Sequence, residues 1–308
     1  MNIGLITWWD GPEREISLIS AASTQKWLIE LWHTVLTYDI PQDKSLLIKD
    51  LSNNSNVFYF VMIHGNWWED WQIQSLLDIY WAKSQTASAN VLALTMNKSW
   101  TKAVWEKEKL PVADDILRNP EIYGVEVTYK QVIRSFWEQC VIKETSLWSS
   151  KWVHICRSKD KIKKILDLYR NHTQHILIEE LLVWDEITIW FLDTEKWIQV
   201  LPPILIVPPT DGEFDFKNKY NWKTQEICPA PLDKSILQKA EIIAHWWYLA
   251  TWCTSYARID MMLTDRWPVL IEINTIPWFT NKSLYPLAAK TAGIWFNELL
   301  QHLINSNI

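Results

Sequence analysis

Glycine is nearly missing from this sequence. At the usual ~7%, a chain of 308 residues would hold roughly 20 glycines; this one has 6. Cysteine is scarce as well. Cys140, Cys156, Cys228 and Cys253 show no C-x-x-C spacing, which excludes a disulfide framework or a thiolate metal knuckle and reads as reduced, buried thiols in a cytoplasmic protein. There is no basic excess: 30 Lys and Arg face 36 Asp and Glu, the net charge is −6, and no nucleic-acid partner is expected. No apolar run reaches the ~18 residues of a membrane span, and the opening "MNIGLIT" carries no charged leader, so neither a membrane partner nor a signal peptide is expected. What remains is the composition of a globular protein, 48% hydrophobic and 21% charged. It is long enough for two or three domains.

Tryptophan is in excess, at 23 residues. Gly and Trp together number what such a chain would normally hold in glycine, with a few tryptophans over. An aromatic platform for glycans or single strands would place Trp on strand faces or one helix stripe. The positions are different. Trp32 follows the helical run "STQKWLIEL", in the left-handed place after a helix that Gly dominates. Trp267 stands in a D-x-x-P turn, where a positive φ is expected. Trp8 and Trp9 lie where the first strand meets the first helix, and Trp148 and Trp152 flank the serines of "LWSSKW", both places where anion-binding loops use Gly. Trp stands in glycine's positions, as it would if the codon UGA, one base from GGA, was read as Trp in a gene whose own code reads it as Gly. That is the expectation here, and Trp105, inside a helix, is expected to be a true tryptophan.

The first 90 or so residues alternate strand and helix, the pattern of a parallel sheet with ligands at the carboxyl ends of its strands. One helix is expected over "VLALTMNKSWTKAVWEKE", then strands "EQCVIKE" and "KWVHICR", a helix "SKDKIKKILDLYRN" and a strand "HILIEELL". Strands "EITIWFL", "IQVLPPILIV", "YARIDMML" and "VLIEIN" follow, with helices "DKSILQKAEIIAHWWYLA" and "PLAAKTAGIWFNELLQHLI". The polar stretch 208–231 is too long for a plain connection and reads as a lid.

The sharpest chemical signal is "RID" followed by "VLIEIN". Residues two apart on a strand share a face, so pairing these strands gathers Arg258, Asp260, Glu272 and Asn274 on one surface, with Ile271 and Ile273 behind. Three hard oxygen donors suit Mg²⁺, which takes few protein ligands and fills its shell with phosphate and water. Lys143 sits in the apolar strand "CVIKE", where an ammonium needs an anionic partner. Lys98 lies on a helix, and Glu179 and Glu186 bracket a strand-to-loop segment fit to hold a nucleoside.

The order of these motifs resembles one family, the D-alanine–D-alanine ligases of the ATP-grasp fold. "TWWDGPEREISL" is similar to G-G-x-S-x-E-R-E-V-S-L, "HGNWWEDWQIQ" to H-G-x-x-G-E-D-G-x-I-Q, and "KETSLWSSKWV" to K-P-x-x-x-G-S-S-x-G-V. "IEELLVWDEITI", the lid segment "FDFKNKY" and "YARIDMML…RWPVLIEINTIPWFTNKSLYP" follow in family order. Trp8, Trp9, Trp32, Trp68, Trp71, Trp148, Trp152, Trp184, Trp252, Trp267 and Trp278 fall on family glycines.

The resemblance implies an α/β and α+β chain of three domains: an N-terminal parallel-sheet α/β domain (1–92), a central ATP-grasp domain (93–181) and a C-terminal ATP-grasp domain with metal site and lid (182–308). It implies ATP, two Mg²⁺ ions with Mn²⁺ as substitute, D-alanine as substrate, a homodimer, and service to cell-wall precursor synthesis in the cytoplasm. Lys98 and Lys143 would hold ATP phosphates, with Lys102 a second choice for Lys98, and Glu179, Leu182 and Glu186 would line the nucleotide. Asp260, Glu272 and Asn274 would carry the metals. Glu13 would bind the first D-alanine's ammonium, Ser149 and Tyr220 would link it to the lid beside Lys219, and His64 would lie nearby. Arg258 with the backbone N–H of position 278 would stabilise the oxyanion, and Ser283 would receive the second D-alanine's carboxylate. Three places depart from the family pattern: Glu144 stands at a family Pro, Asn97 at a family Asp, and Gly11-Pro12 alter the first loop. The rival readings are another ATP-grasp carboxylate–amine ligase, or, if every Trp is real, an inactive or non-catalytic aromatic-rich binder.

Overall fold

The structure is a computed structural model describing residues 1–8, 14–40, 42–53, 56–63, 71–146, 152–208, 224–277, 279–280 and 283–308. Four parallel strands, β1 (Asn2–Trp8), β2 (Thr34–Ile40), β3 (Val57–Val61) and β4 (Lys83–Ser84), run in the order β2-β1-β3-β4. The near-continuous apolar runs of β1 and β3 are those of strands covered on both faces. Helix α1 (Arg14–Glu30) covers one face through Ala21 and Leu28 against Ile3, Leu5, Phe58 and Phe60. Helices α2 (Lys44–Ser52) and α3 (Gln72–Ile79) cover the other, against Ile6, Tyr38, Tyr59 and Val61. Gly4 has a glycine's reason to be there, since a Cβ on it would lie 2.5 Å from the Tyr59 ring. Neighbours β1 and β3 end at the same sheet edge, with β2 on one side and β4 on the other. That is a topological switch point, where α/β sheets bind ligands.

The helix expected over residues 91–108 is two helices, α4 (Ala89–Met96) and α5 (Lys98–Lys107). Asn97 between them is extended (φ −101°, ψ 106°), and its side chain accepts from the N–H groups of Ser99 and Trp100. Asn is as good an N-cap as Asp, so the departure from the family residue leaves the cap intact. Both helices belong to the core of the C-terminal sheet through Val91, Leu92 and Trp105.

A four-stranded antiparallel sheet follows, in the order β5-β8-β6-β7: β5 (Asp115–Arg118), β6 (Cys140–Glu144), β7 (Val153–Cys156) and β8 (Ile176–Glu180). Between β5 and β6 come a one-turn helix, α6 (Pro120–Tyr123), and α7 (Val125–Phe136); α8 (Lys159–Leu168) follows β7. Ile116, Cys140, Ile142, Ile176 and Ile178 pack one face against α7 and α8. The other face carries Asp115, Lys143 and Glu179, because Glu179 pairs with Asp115 and Val141, and Lys143 is two residues beyond Val141.

The remaining strands make a six-stranded sheet, β12-β11-β9-β13-β14, with β10 also on β9. They are β9 (Asp185–Asp193), β10 (Ile198–Val200), β11 (Ile204–Val207), β12 (Gln225–Ile227), β13 (Tyr256–Leu263) and β14 (Pro268–Asn274). The expected single strand over 198–207 is broken at Pro202-Pro203, which lack ladder N–H groups. Ile187, Ile189, Phe191, Ala257 and Ile259 face helix α9 (Lys234–Ala250) and Trp105. On the opposite face, Trp190 and Leu192 join a core shared with α1 and with helices α10 (Leu284–Thr291) and α11 (Phe296–Asn305). These last two were expected as one helix; Gly293, at φ +83°, ends the first. No helix among the described residues is long and apolar enough to cross a membrane.

Backbone conformation bears on the tryptophans. Six described non-glycine residues have φ between 54° and 69°, in the left-handed region, and four of them are Trp32, Trp81, Trp137 and Trp252. Trp32, Trp81 and Trp252 follow α1, α3 and α9. At each, the Trp N–H bonds the carbonyl three residues back and the next N–H bonds the one five back. This is the Schellman arrangement that Gly293 makes after α10 with Lys290 and Ala289. Trp32 and Trp81 are 92% and 90% exposed, so packing gives these side chains no reason to be there. Trp267 is a correction, since it does not have a positive φ. Thr264 closes that turn, its hydroxyl accepting from Trp267 N–H and donating to Trp267 C=O, and the chain enters β14 extended. Trp105 is 1% exposed and its indole N–H donates to Trp247 C=O at 3.2 Å, as a true core tryptophan should.

Candidate active site

The site lies between the polar face of the central sheet and the matching face of the C-terminal sheet, with α5 reaching both. In the pair β13–β14, Arg258 stands opposite Asn274 and Asp260 opposite Glu272. Beyond that the register shifts, so that Met261 pairs with Leu270 and Ile271 has no partner. The bulge explains why Ile273 is buried at 1% while Ile271, expected behind the sheet with it, is only half-buried. Facing residues on β9 are Trp190 opposite Arg258 and Thr188 opposite Asp260, with Glu186 two positions further along the same face.

The electrostatics run across the cleft. Arg258 donates to Asp260 from Nε at 3.0 Å, reaches Glu272 at 3.6 Å, and lies 5.8 Å over the Trp190 ring. Burial opposes its charge, but Asp260 and Glu272 outweigh burial and hold its pKa above the usual arginine value. Lys98 Nζ is 3.3 Å from Glu272, and burial pushes its pKa down despite Glu272. Lys143 bonds one oxygen of Glu179, and Lys102 bonds the other at 3.0 Å. Burial would raise the Glu179 pKa, yet Lys143 and Lys102 hold it below the usual glutamate value. Lys98 and Lys143 are buried ammonium groups, 7% and 4% exposed, each paired with a glutamate of the cleft.

Asn274 accepts from Ile276 N–H at 3.0 Å, which turns its amide oxygen to the backbone here. Glu186 and Leu182 are half-buried at the start of β9 and in the segment before it. Ser283 is the residue before α10, and its hydroxyl meets the Thr280 hydroxyl at 2.8 Å and the Thr280 N–H at 3.1 Å. Glu13, His64, Ser149, Lys219 and Tyr220 lie outside the described residues, as does Trp278. Two positions of the cleft were not singled out from sequence for what they do here. Asp115 gave no signal, but the i, i+4 spacing of Lys98 and Lys102 places both on one face of α5 and was a readable clue.

The profile of the family described as D-ala D-ala ligase C-terminus matches residues 104–305. The chain belongs to the D-alanine–D-alanine ligase family. Relatives of this ligase-family chain include the D-alanine–D-alanine ligase of Maridesulfovibrio salexigens, 32% identical over 99% of this chain and 97% of that one. Another is that of Haemophilus influenzae, 32% identical over 96% and 97%. The fold matches the crystal structure of the Bacillus anthracis D-alanine–D-alanine ligase at TM-score 0.83, with 24% identity over 99% of this chain and 97% of that. It matches the VanG D-Ala:D-Ser ligase of Enterococcus faecalis at TM-score 0.84, with 21% identity over 100% and 99%. The expected ATP-grasp architecture is therefore the observed one.

Where this ligase departs from its family at Glu144, the structure gives a physical consequence. Glu144 lies on the apolar side of β6, 3% exposed; its Oε1 is 3.7 Å from His172 Nε2, too far for a hydrogen bond. Burial pushes its pKa above the usual glutamate range, against a smaller opposing effect of His172. A raised folded-state pKa means stability that is full below the unfolded value of ~4.3 and is lost as pH rises through the folded value. Glu144→Gln is therefore expected to leave Tm nearly unchanged at pH 4 and to raise it at pH 8. An equal shift at both pH values would show that ionisation is not the cause.

Proposed function

We propose that the chain joins two D-alanines to D-alanyl-D-alanine at the expense of ATP, through an acyl phosphate of the first D-alanine. The observation that carries this reading is the charge-balanced junction of Lys98 on α5 with Glu272, Arg258 and Asp260 on the paired strands β13 and β14, in a chain of this family. Lys98 and Lys143 hold and neutralise the ATP phosphates. Glu179, Leu182 and Glu186 line the nucleoside. Asp260, Glu272 and Asn274 fit Mg²⁺ in kind and number. They are hard oxygen donors on one face, too few to fill a shell alone, which suits an ion shared with phosphate. When bound, the two Mg²⁺ ions supply charge neutralisation for phosphoryl transfer.

Arg258, fixed by Asp260 and Trp190, stabilises the oxyanion that forms when the second amine attacks. Ser283, in front of a helix N-terminus, orients the second D-alanine's carboxylate. Glu13, Ser149 and Tyr220, with His64 and Lys219, complete the first-substrate site and its closure. Their support is the match to the family motifs. The Lys219-Tyr220 pair favours dipeptide over D-alanyl-D-lactate. Cytoplasmic synthesis of a peptidoglycan precursor by a homodimer completes the reading, and the working protein carries glycine at the family-glycine tryptophans.

Phosphate release across a panel of D- and L-amino acids tests the reaction. D-alanine alone should support release with dipeptide as product. Release with D-serine or an L-amino acid but not with D-alanine would defeat the assignment in favour of another carboxylate–amine ligase.

A further inference from the structure

The geometry points to Lys102 as a positioning residue for ATP binding: it holds Glu179 in place and so sets where Lys143 stands. Lys102 lies one turn beyond Lys98 on α5 and is 4% exposed. Its Nζ is 2.8 Å from Asp115 and 3.0 Å from Glu179. An ammonium has three donors, and two of those of Lys102 are committed to carboxylates of the central sheet, whereas Lys98 faces Glu272 of the C-terminal sheet. Glu179 is shared between Lys102 and Lys143, one oxygen to each. The inference rests on the proposed role of Lys143 toward phosphate.

A carboxylate held by two cations keeps its charge and its place when one cation turns partly to another anion. Without Lys102, Glu179 would depend on Lys143 alone and would hold it more tightly, in competition with phosphate. Burial disfavours the Lys102 ammonium, but Glu179 and Asp115 outweigh it and raise its pKa, so the clamp stays charged through neutral pH. Because α5 packs in the core of the C-terminal sheet while Asp115 and Glu179 belong to the central sheet, Lys102 also ties the two walls of the cleft together.

The test is steady-state kinetics of Lys102→Met, Lys102→Arg and Lys143→Met in the catalytically active form of the chain. Lys102→Met is expected to raise KM for ATP on the order of tenfold, the scale of one hydrogen bond to a charged group. KM for D-alanine should change far less, and Lys102→Arg should restore part of the ATP affinity. The acid limb of kcat/KM for ATP should move to higher pH in Lys102→Met, because Glu179 then has one cation in place of two. Unchanged ATP KM and pH profile in folded Lys102→Met would overturn the inference. If Lys102→Met does not fold, Asp115→Asn reads the same clamp from its other side, and an unchanged ATP KM there overturns the inference too. Lys143→Met separates the two readings. If it leaves ATP KM unchanged the nucleotide site itself is misplaced, whereas a rise there with none in Lys102→Met removes only the role of Lys102.

Discussion

Replacing the family-glycine tryptophans, together with Trp81 and Trp137, by glycine is expected to turn an unfolded or inactive chain into a stable, active ligase. The argument is energetic. Trp32, Trp81, Trp137 and Trp252 have φ between 54° and 63°, a region that L side chains occupy at a cost of about 1–3 kcal/mol each. Those four positions alone amount to roughly 4–12 kcal/mol, against a total domain stability of about 5–15 kcal/mol. None is compensated by burial, since all four side chains are exposed. Glycine removes the steric term at each and, at positions 32, 81 and 252, keeps the Schellman hydrogen bonds, as Gly293 does in the same chain.

Thermal unfolding and phosphate-release assays on the literal and glycine-restored chains measure this directly. A well-folded, active literal chain would refute the recoding idea. The codons of the source gene give an independent reading: UGA at the positive-φ and family-glycine positions, with UGG at Trp105, is the expected pattern. UGG throughout would mean that the tryptophans are real, and the ligase reading would then describe ancestry only.

How much was legible in the sequence depended on the kind of signal. The parallel N-terminal sheet was readable from the apolar runs of β1, β2 and β3 and the helical stretches of α1 and α3, whereas α2 and the two-residue β4 were not among the expected elements. The β13–β14 pair was readable because period-two alternation put Arg258, Asp260, Glu272 and Asn274 on one face, where the structure has them. The bulge at Ile271 was not, because a one-residue register shift leaves no mark in an apolar strand. The break at Asn97 was hidden for a related reason: residues on either side have helical periodicity, and only the cap's φ and ψ separate α4 from α5. The segment holding β5 and α7 drew no assignment, and Asp115 with it. Pairing of Asp115 with Lys102 is a long-range contact that no local pattern encodes. The tryptophans show the converse. Composition alone raised the glycine question, and backbone angles then identified Trp81 and Trp137, which no motif had marked.

Glu272→Gln is expected to lower kcat by about two to three orders of magnitude, the scale of removing one preorganised electrostatic contact at a developing charge. Glu272 is the only described residue that meets both Lys98, at 3.3 Å, and Arg258, at 3.6 Å. Its charge therefore balances a lysine and an arginine at once, and in the proposed site these are the phosphate-side and oxyanion-side cations and Glu272 also serves Mg²⁺. Gln keeps the shape and loses the charge, so Lys98 and Arg258 would face each other with one acid fewer between them. Lys98→Met should behave differently. It removes a cation that meets phosphate in the proposed site, so ATP affinity should fall while the Mg²⁺ dependence stays near that of the parent. A titration of activity against Mg²⁺ distinguishes the two. Glu272→Gln should need a higher Mg²⁺ concentration for half-maximal rate, and an unchanged Mg²⁺ midpoint with reduced kcat would assign Glu272 to charge balance alone.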